Sequence, residues 1–366
     1  MKLAVATPFL TGMGGMERVV LEIAKHYDAT VHCFEYSKHS TFPDFQTLDM
    51  DIIPLTKLPF HRVTSAIQAG MLYANMKLDN YDVINTHQCP SEWLRIRNPN
   101  VLAYIHTPNR EAYDLYSWRM SKRSLPGKLA FWASIQAFRF IEERTVPRIR
   151  KILTNSLNSQ TRITKYLKCQ SDILHPGINP SDFTCRSYDS FFLCPSRITP
   201  EKDIRFTLEA FRTFNRVHPD WKLIIAGNLT SPSYLKQLQS NLPPNTLIET
   251  NVTDERLREL YSTCTSVVYS PLNEDFGLVP LEAMASSKPC IGKNEGGLRE
   301  TIDDSSDGFL VDTPSQMASR MSYFADNPDL PPDMGEYGRK KVLEEFTWDR
   351  FFTKFDLYLN EVKNAT

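Results

Sequence analysis

The stretch Val267-Val268-Tyr269-Ser270-Pro271-Leu272-Asn273-Glu274-Asp275-Phe276-Gly277-Leu278-Val279-Pro280-Leu281-Glu282 decides the architecture. Residues 266–270 form a short apolar run of the kind that makes a buried strand. A polar loop follows, and then Pro280 in what reads as the first turn of a helix, where its missing N–H needs no partner. Strand, loop and helix in that order are one half of a parallel βαβ unit. The unpaired amides of Gly277, Leu278 and Val279 would point outward at the helix start. Glu274 stands at the far end of the loop and Glu282 in the first helical turn. A plainer reading leaves Glu274 as an exposed loop charge and Glu282 as an acid favourable to the helix dipole.

Outward from this stretch the same alternation fills the chain. Strands are expected near 2–7, 29–34, 50–53, 82–86, 101–105 and 151–154, and again near 191–195, 222–226, 247–250, 266–270, 289–291 and 309–311, with amphipathic stretches between them. Two doubly wound parallel sheets follow, whose ligands bind at the carboxyl ends of strands. His175-Pro176-Gly177-Ile178-Asn179-Pro180-Ser181-Asp182-Phe183 reads as an extended, exposed linker. The expected domains are 1–178 and 179–345, with 346–366 as a C-terminal helix packing back on the first. Residues 344–362 read as one amphipathic helix with Phe346, Trp348, Phe351, Phe352, Phe355, Leu357, Tyr358 and Leu359 on its apolar face.

Composition narrows the function. The chain has 366 residues, 41% hydrophobic and 23% charged, enough for two globular domains, and its net charge of -1 argues against a nucleic-acid partner. Seven scattered cysteines with no Cys-x-x-Cys pair suit reduced thiols in a cytoplasmic protein. Asp49-Met50-Asp51 imitates a metal-binding Asp-x-Asp but falls within an expected strand of the first domain, so no metal is expected.

Five further segments lie at strand ends. Gly12-Met13-Gly14-Gly15-Met16-Glu17 turns from strand to helix, where glycines let backbone amides approach an anion. With Glu35 after the next strand it has a dinucleotide reading, but Glu17 stands where a third glycine belongs and would repel a pyrophosphate; a merely structural turn is the other alternative. Ser196-Arg197 and Lys202 supply a guanidinium and an ammonium, a fork and a point charge for a diphosphate, or else a solvated surface. Asn294-Glu295-Gly296-Gly297-Leu298-Arg299-Glu300 again pairs glycines before a helix. In the first domain His87, His106 and Arg110 follow strands. Carboxylates accept from vicinal hydroxyls, so Glu274 and Glu282 with amides between them suit a ribose and a hexose joined by a diphosphate.

Together, Gly14-Gly15-x-Glu17, Ser196-Arg197-x4-Lys202, Glu274-x7-Glu282 enclosing Phe276-Gly277-Leu278, and Gly296-Gly297-x2-Glu300 resemble glycosyltransferase family 4, the group 1 retaining enzymes, from about residue 3 to 360. The resemblance implies a GT-B fold, two Rossmann-like domains facing across a cleft. It implies that Arg197 and Lys202 hold the donor diphosphate in place of a metal, Glu282 the ribose and Glu274 the transferred sugar. Phe276, Gly277 and Leu278 would donate from the backbone, Gly14 and Gly15 close over the diphosphate, His106 sit beside the anomeric carbon, and Asn251 and Val252 frame the base. The two glutamates are then not a glycosidase acid and nucleophile. Tyr104-Ile105-His106-Thr107-Pro108-Asn109-Arg110 resembles the family's mannosyltransferases, which leans toward GDP-mannose over a UDP-sugar. His87 and Arg110 are acceptor-side candidates, and a glycan or lipid-linked saccharide is the expected acceptor. No cofactor beyond the sugar nucleotide is implied. Residues 117–151 mix Arg119, Lys122, Arg123, Lys128, Arg139, Arg144, Arg148, Arg150 and Lys151 with Trp118, Phe131 and Trp132, the pattern of a peripheral contact with an anionic membrane, or of a solvated helix. An NAD-type oxidoreductase and an inactive sugar-nucleotide-binding protein are the competing readings.

Overall fold

Apolar runs become strands buried on both faces. The computed structural model describes residues 1–56 and 62–365. Its first sheet contains β1 (Leu3–Leu10), β2 (Thr30–Tyr36), β3 (Ile52–Pro54), β4 (Val83–His87), β5 (Val101–Ile105), β6 (Lys151–Thr154) and β7 (Asp172–Ile173). They lie in the order β3-β2-β1-β4-β5-β6-β7 with every pair parallel. The second contains β8 (Asp189–Pro195), β9 (Lys222–Gly227), β10 (Thr246–Thr250), β11 (Cys264–Tyr269), β12 (Cys290–Lys293) and β13 (Gly308–Val311). Its order is β10-β9-β8-β11-β12-β13, again all parallel. Both orders reverse direction once, between β1 and β4 and between β8 and β11. Strand ends beside such a reversal open a crevice for ligands.

Successive residues of the second sheet serve opposite cores. Phe192, Cys194, Leu223, Ile225 and Val268 join one cluster, and Phe191, Leu193, Ile224, Ala226, Val267 and Tyr269 the other. Helices cover both faces, which is why these strands read as continuous apolar runs rather than alternating ones. Helix Ile204–Asn215 buries Ile204, Leu208, Phe211 and Phe214 at helical spacing.

The chain divides into two compact units, Met1–Pro176 with Phe351–Thr366, and Gly177–Arg350. The segment expected as an exposed linker is instead buried at Pro176, Gly177 and Ile178. Ile178 N–H donates to Phe346 O at 2.9 Å, and a Cβ on Gly177 would stand 2.4 Å from Trp348 N, so a second strand of chain covers it. The expected single helix over 344–362 is two, Leu330–Glu345 and Trp348–Asn364. The break falls at Phe346, whose ring leaves the helical face to pack 6.0 Å from Phe276 in the second unit's core. Beyond it, Phe352 stacks on His26 at 3.8 Å, and Tyr27 Oη donates to Asp356 at 2.9 Å, both within the first unit. Strand β7 had no reading in the sequence because Asp172–Ile173 is too short to carry a pattern.

Candidate functional site

In the second unit the reversal lies between β8 and β11, and the loops leaving them are sewn together. Leu272 N–H donates to Glu201 O at 2.9 Å, joining the loop after β11 to the 3-10 turn Pro200–Lys202 after β8. Gly297 N–H donates to Glu274 O at 2.9 Å, adding the loop after β12. Gly296 sits at φ +62°, and a Cβ there would meet Glu274 O at 2.5 Å. The Gly296-Gly297 pair therefore shapes the Glu274 loop by close backbone packing.

Lys202 and Glu274 meet in this structure. Lys202 Nζ donates to Glu274 Oε1 at 3.0 Å and Oε2 at 2.8 Å, and to Tyr269 Oη at 2.7 Å. The ammonium and the carboxylate, expected on a diphosphate and on a sugar, are here each other's partner. Tyr269 was read only as a strand residue, yet it is 2% exposed and donates its own O–H toward Glu274. A phenol ending an otherwise apolar strand needs a partner when buried, and that was the available signal. Burial pushes the Glu274 carboxyl upward, but the Lys202 charge and hydrogen bond, then Tyr269 and Arg197, outweigh it and hold it below its usual range. Arg197 projects into solvent and acts on both Glu274 and Tyr269 through its charge. Glu274 is thus an anion in a cationic setting, and Arg197 and Lys202 lie at the same strand-end crevice.

Helix Leu278–Ala285 begins after Gly277, which adopts φ +99°, a backbone that side-chain-bearing residues rarely take. Pro280 is in the first turn, as expected, but Glu282 is in the second, because the helix starts at Leu278. Glu282 Oε2 accepts from Tyr261 Oη at 2.7 Å, which orients the carboxylate. The Phe276 ring is buried in the core, so only its backbone is offered to a ligand. Asn251 follows β10 at φ +55° with Oδ1 accepting from Leu229 N–H at 3.1 Å, and Val252 packs partly into the core.

The first unit has its own strand-end groups. Helix Gly15–Tyr27 starts one residue after Gly14, and the Glu17 carboxylate folds back over the loop, so that a Cβ on Gly14 would stand 2.7 Å from Glu17 Oε2. The glycines make room for Glu17 itself. After β4 and β5, His87 Nδ1 lies 3.1 Å from His106 Nε2, and His87 Nε2 2.7 Å from Asn85 Oδ1. Asn85 Nδ2 donates to Leu102 O at 3.2 Å, which turns Oδ1 toward His87. His87 accordingly carries its proton on Nε2 and accepts from His106 Nε2–H, leaving the lone pair of His106 on Nδ1. Burial holds His106 down at about 3, and burial plus the His106 neighbour keeps His87 well below its usual value, so both rings are neutral. Arg110, the other acceptor-side candidate, donates to Asp114 at 2.9 Å, an i,i+4 ion pair. Asp49 and Asp51 precede β3 rather than lie within it, and Asp51 accepts from Thr30 at 2.8 Å. Among the described residues no group of three or more His, Cys, Asp or Glu is placed to hold a metal.

Residues 13–182 match the family described as Glycosyltransferase Family 4, and residues 183–341 the family described as Glycosyl transferases group 1. The alpha-1,3/1,6-mannosyltransferase ALG2 of Homo sapiens is 28% identical, with 96% of this chain and 94% of that protein aligned. ALG2 of Dictyostelium discoideum is 24% identical over 96% of each. The structure of Anabaena HepE in complex with UDP and glucose superposes with a TM-score of 0.77 at 16% identity, covering 99% of this chain and 100% of that one. WaaG, a glycosyltransferase involved in lipopolysaccharide biosynthesis, gives 0.73 at 14% identity over 97% and 99%. These likenesses carry the fold, two parallel-sheet α/β domains of the GT-B type. Matched by two adjoining families from residue 13 to residue 341, the chain belongs to the group 1, family 4 glycosyltransferases.

Proposed function

We propose that this glycosyltransferase is a retaining, metal-independent mannosyltransferase that moves mannose from GDP-mannose to a glycan or lipid-linked saccharide. The observation that carries the reading is the Lys202–Tyr269–Glu274 cluster beside Arg197, at the strand-order reversal of the second sheet. Two cations there can neutralise a diphosphate leaving group, the role a divalent metal would otherwise play. Glu274 and Glu282, both ordered by tyrosine hydroxyls, can accept from hexose and ribose hydroxyls. Backbone amides of Phe276, Gly277 and Leu278 lie between them at a helix start. The mannose lean is supported by the name of the ALG2 relatives.

In this reaction the departing phosphate oxygen takes the acceptor's proton on the same face of the sugar. Arg197 and Lys202 stabilise charge growing on that oxygen. The anionic Glu274 is a hydroxyl acceptor and not a proton donor. His106, neutral and with its lone pair on Nδ1, suits accepting from a hydroxyl, while His87, both of whose ring nitrogens are engaged, fixes the His106 ring. A dinucleotide reading of the Gly12–Glu17 loop is opposed by the Glu17 carboxylate, which stands over it. No resident cofactor is required, and free cysteines suit the reducing cytoplasm.

A membrane contact through residues 117–151 is part of the proposal. Helix Leu125–Thr145 turns Phe131, Ile135 and Glu142 inward and leaves Leu125 (81% exposed), Leu129 (68%), Trp132 (48%) and Phe140 (56%) along one outward stripe. Lys122, Arg123, Lys128 and Arg144 flank it, the makeup of an interfacial helix facing anionic lipid. No helix among the described residues is long and apolar enough to cross a membrane.

A thermal-shift panel of GDP, UDP and ADP sugars with and without EDTA tests the donor. Stabilisation by GDP-mannose that EDTA leaves intact is expected; stabilisation by NAD alone, or only with a divalent metal, would overturn the proposal.

A further inference from the structure

Tyr269 has no part in the roles given above beyond ordering Glu274, yet its hydroxyl touches both charged groups of the cluster. A phenol has one O–H and two lone pairs. Here the O–H goes to Glu274 and a lone pair receives Lys202 Nζ at 2.7 Å. An ammonium has three N–H donors, and those of Lys202 are shared among Tyr269 and both oxygens of Glu274. A phosphate oxygen gains Lys202 by replacing one of these three contacts, and giving up one of the two to Glu274 leaves the ammonium bonded to both of its partners. That exchange turns one acceptor position of the carboxylate from the ammonium toward a sugar hydroxyl. Throughout it the phenol, buried at the end of β11 and fixed by its ring in the core, can keep one bond to each partner.

We infer that Tyr269 is a positioning residue that couples capture of the diphosphate by Lys202 to capture of the hexose by Glu274, so that the site favours the intact sugar nucleotide over the nucleoside diphosphate. The inference rests on the donor site proposed above. Without the hydroxyl, Lys202 can still move to phosphate, but Glu274 loses one of the donors that orient it for the sugar.

The test compares wild type, Tyr269→Phe, Tyr269→Met and Lys202→Ala. Calorimetric affinities for GDP and for GDP-mannose are measured, with GDP release from GDP-mannose in water as the kinetic readout. In both Tyr269 variants the preference for GDP-mannose over GDP should fall about tenfold while GDP affinity changes little, and kcat should drop ten- to hundredfold, the scale of one charge-assisted hydrogen bond. Thermal midpoints show that the variants are folded, and a ratio of affinities is insensitive to a merely structural loss. Lys202→Ala should weaken GDP itself. Hydroxyl-free variants that keep the wild-type ratio and kcat, while Lys202→Ala loses both ligands, would overturn the role of Tyr269 and leave the donor site standing. Undiminished binding in Lys202→Ala would instead remove the donor site, and the coupling with it.

Discussion

Glu92→Gln should make the protein more stable, and increasingly so as pH rises. Glu92, on the 3-10 helix Ser91–Ile96, and Glu142, on helix Leu125–Thr145, are each 2% exposed. The Cys89 thiol bonds to both, Tyr113 donates to Glu142 at 2.5 Å, and Arg139 is the cation acting on Glu142. Glu92 Oε2 has no hydrogen-bond partner among the described residues. Burial first, and the neighbouring Glu142 charge, push Glu92 up from 4.5 to about 8, while burial lifts Glu142 to about 7. The unfolded chain ionises such an acid near its ordinary value, so over this range it binds fewer protons than the folded one, and stability falls with rising pH. The loss begins near the unfolded value and levels off once pH passes the folded one. For Glu92, raising pH from 5 to 8 costs roughly 3 kcal/mol at 1.36 kcal/mol per pH unit of difference. Glutamine has nearly the same shape and cannot ionise, so the variant should escape this loss. The gain of Glu92→Gln over wild type should grow by about 6–12 °C in the midpoint of the first unit between pH 5 and pH 8. Circular dichroism melts at three pH values provide the assay. A gain that does not vary with pH would refute the reasoning.

Gly296→Ala should lose at least ~1–2 kcal/mol from its positive φ alone and weaken donor binding, because its Cβ would press on Glu274 O; unchanged stability and affinity would contradict the packing role. Glu282→Gln should weaken GDP-mannose about tenfold with little change in stability, if the carboxylate accepts from ribose hydroxyls; calorimetry against 2′-deoxy-GDP checks it, since the variant should discriminate less. With His106 held down at about 3, the pH profile of kcat should show no His106 inflection between pH 5 and 8; an inflection near 6.5 that disappears in His106→Gln would contradict the buried pair. Leu129→Glu with Trp132→Glu should abolish co-flotation with phosphatidylserine vesicles while leaving donor binding intact, and wild type should release from them at high salt; equal flotation of variant and wild type would remove the membrane contact.

The fold was legible because burial on both faces leaves a direct trace in the chain. Runs such as Leu193–Pro195 and Val267–Tyr269 have no polar alternation to confuse with a helix, and their spacing implies the crossover helices. Where the trace failed, the cause was tertiary. Nothing local marks Phe346 as a core residue of the second unit rather than part of the last helix; its place depends on Phe276, far away in sequence. Likewise the apparent linker is buried only because residues 346–348 pack over it. At the candidate site the residue types were visible and their pairing was not. Lys202 and Glu274 were each assigned to a ligand, but the 2.8 Å contact between them arises from two loops joined through Leu272 and Glu201. Tyr269 was hidden for the opposite reason, since a tyrosine at a strand end reads as one more apolar residue until its hydroxyl is seen between two charges.

Transfer of radiolabelled mannose from GDP-mannose to a lipid-linked saccharide fraction, in EDTA, tests the central claim most directly. Wild-type protein should form an alpha-linked mannosyl product, and Lys202→Ala, folded by its melting curve, should form none. Wild-type turnover in Lys202→Ala, a beta-linked product, or transfer that requires a divalent metal would contradict the account.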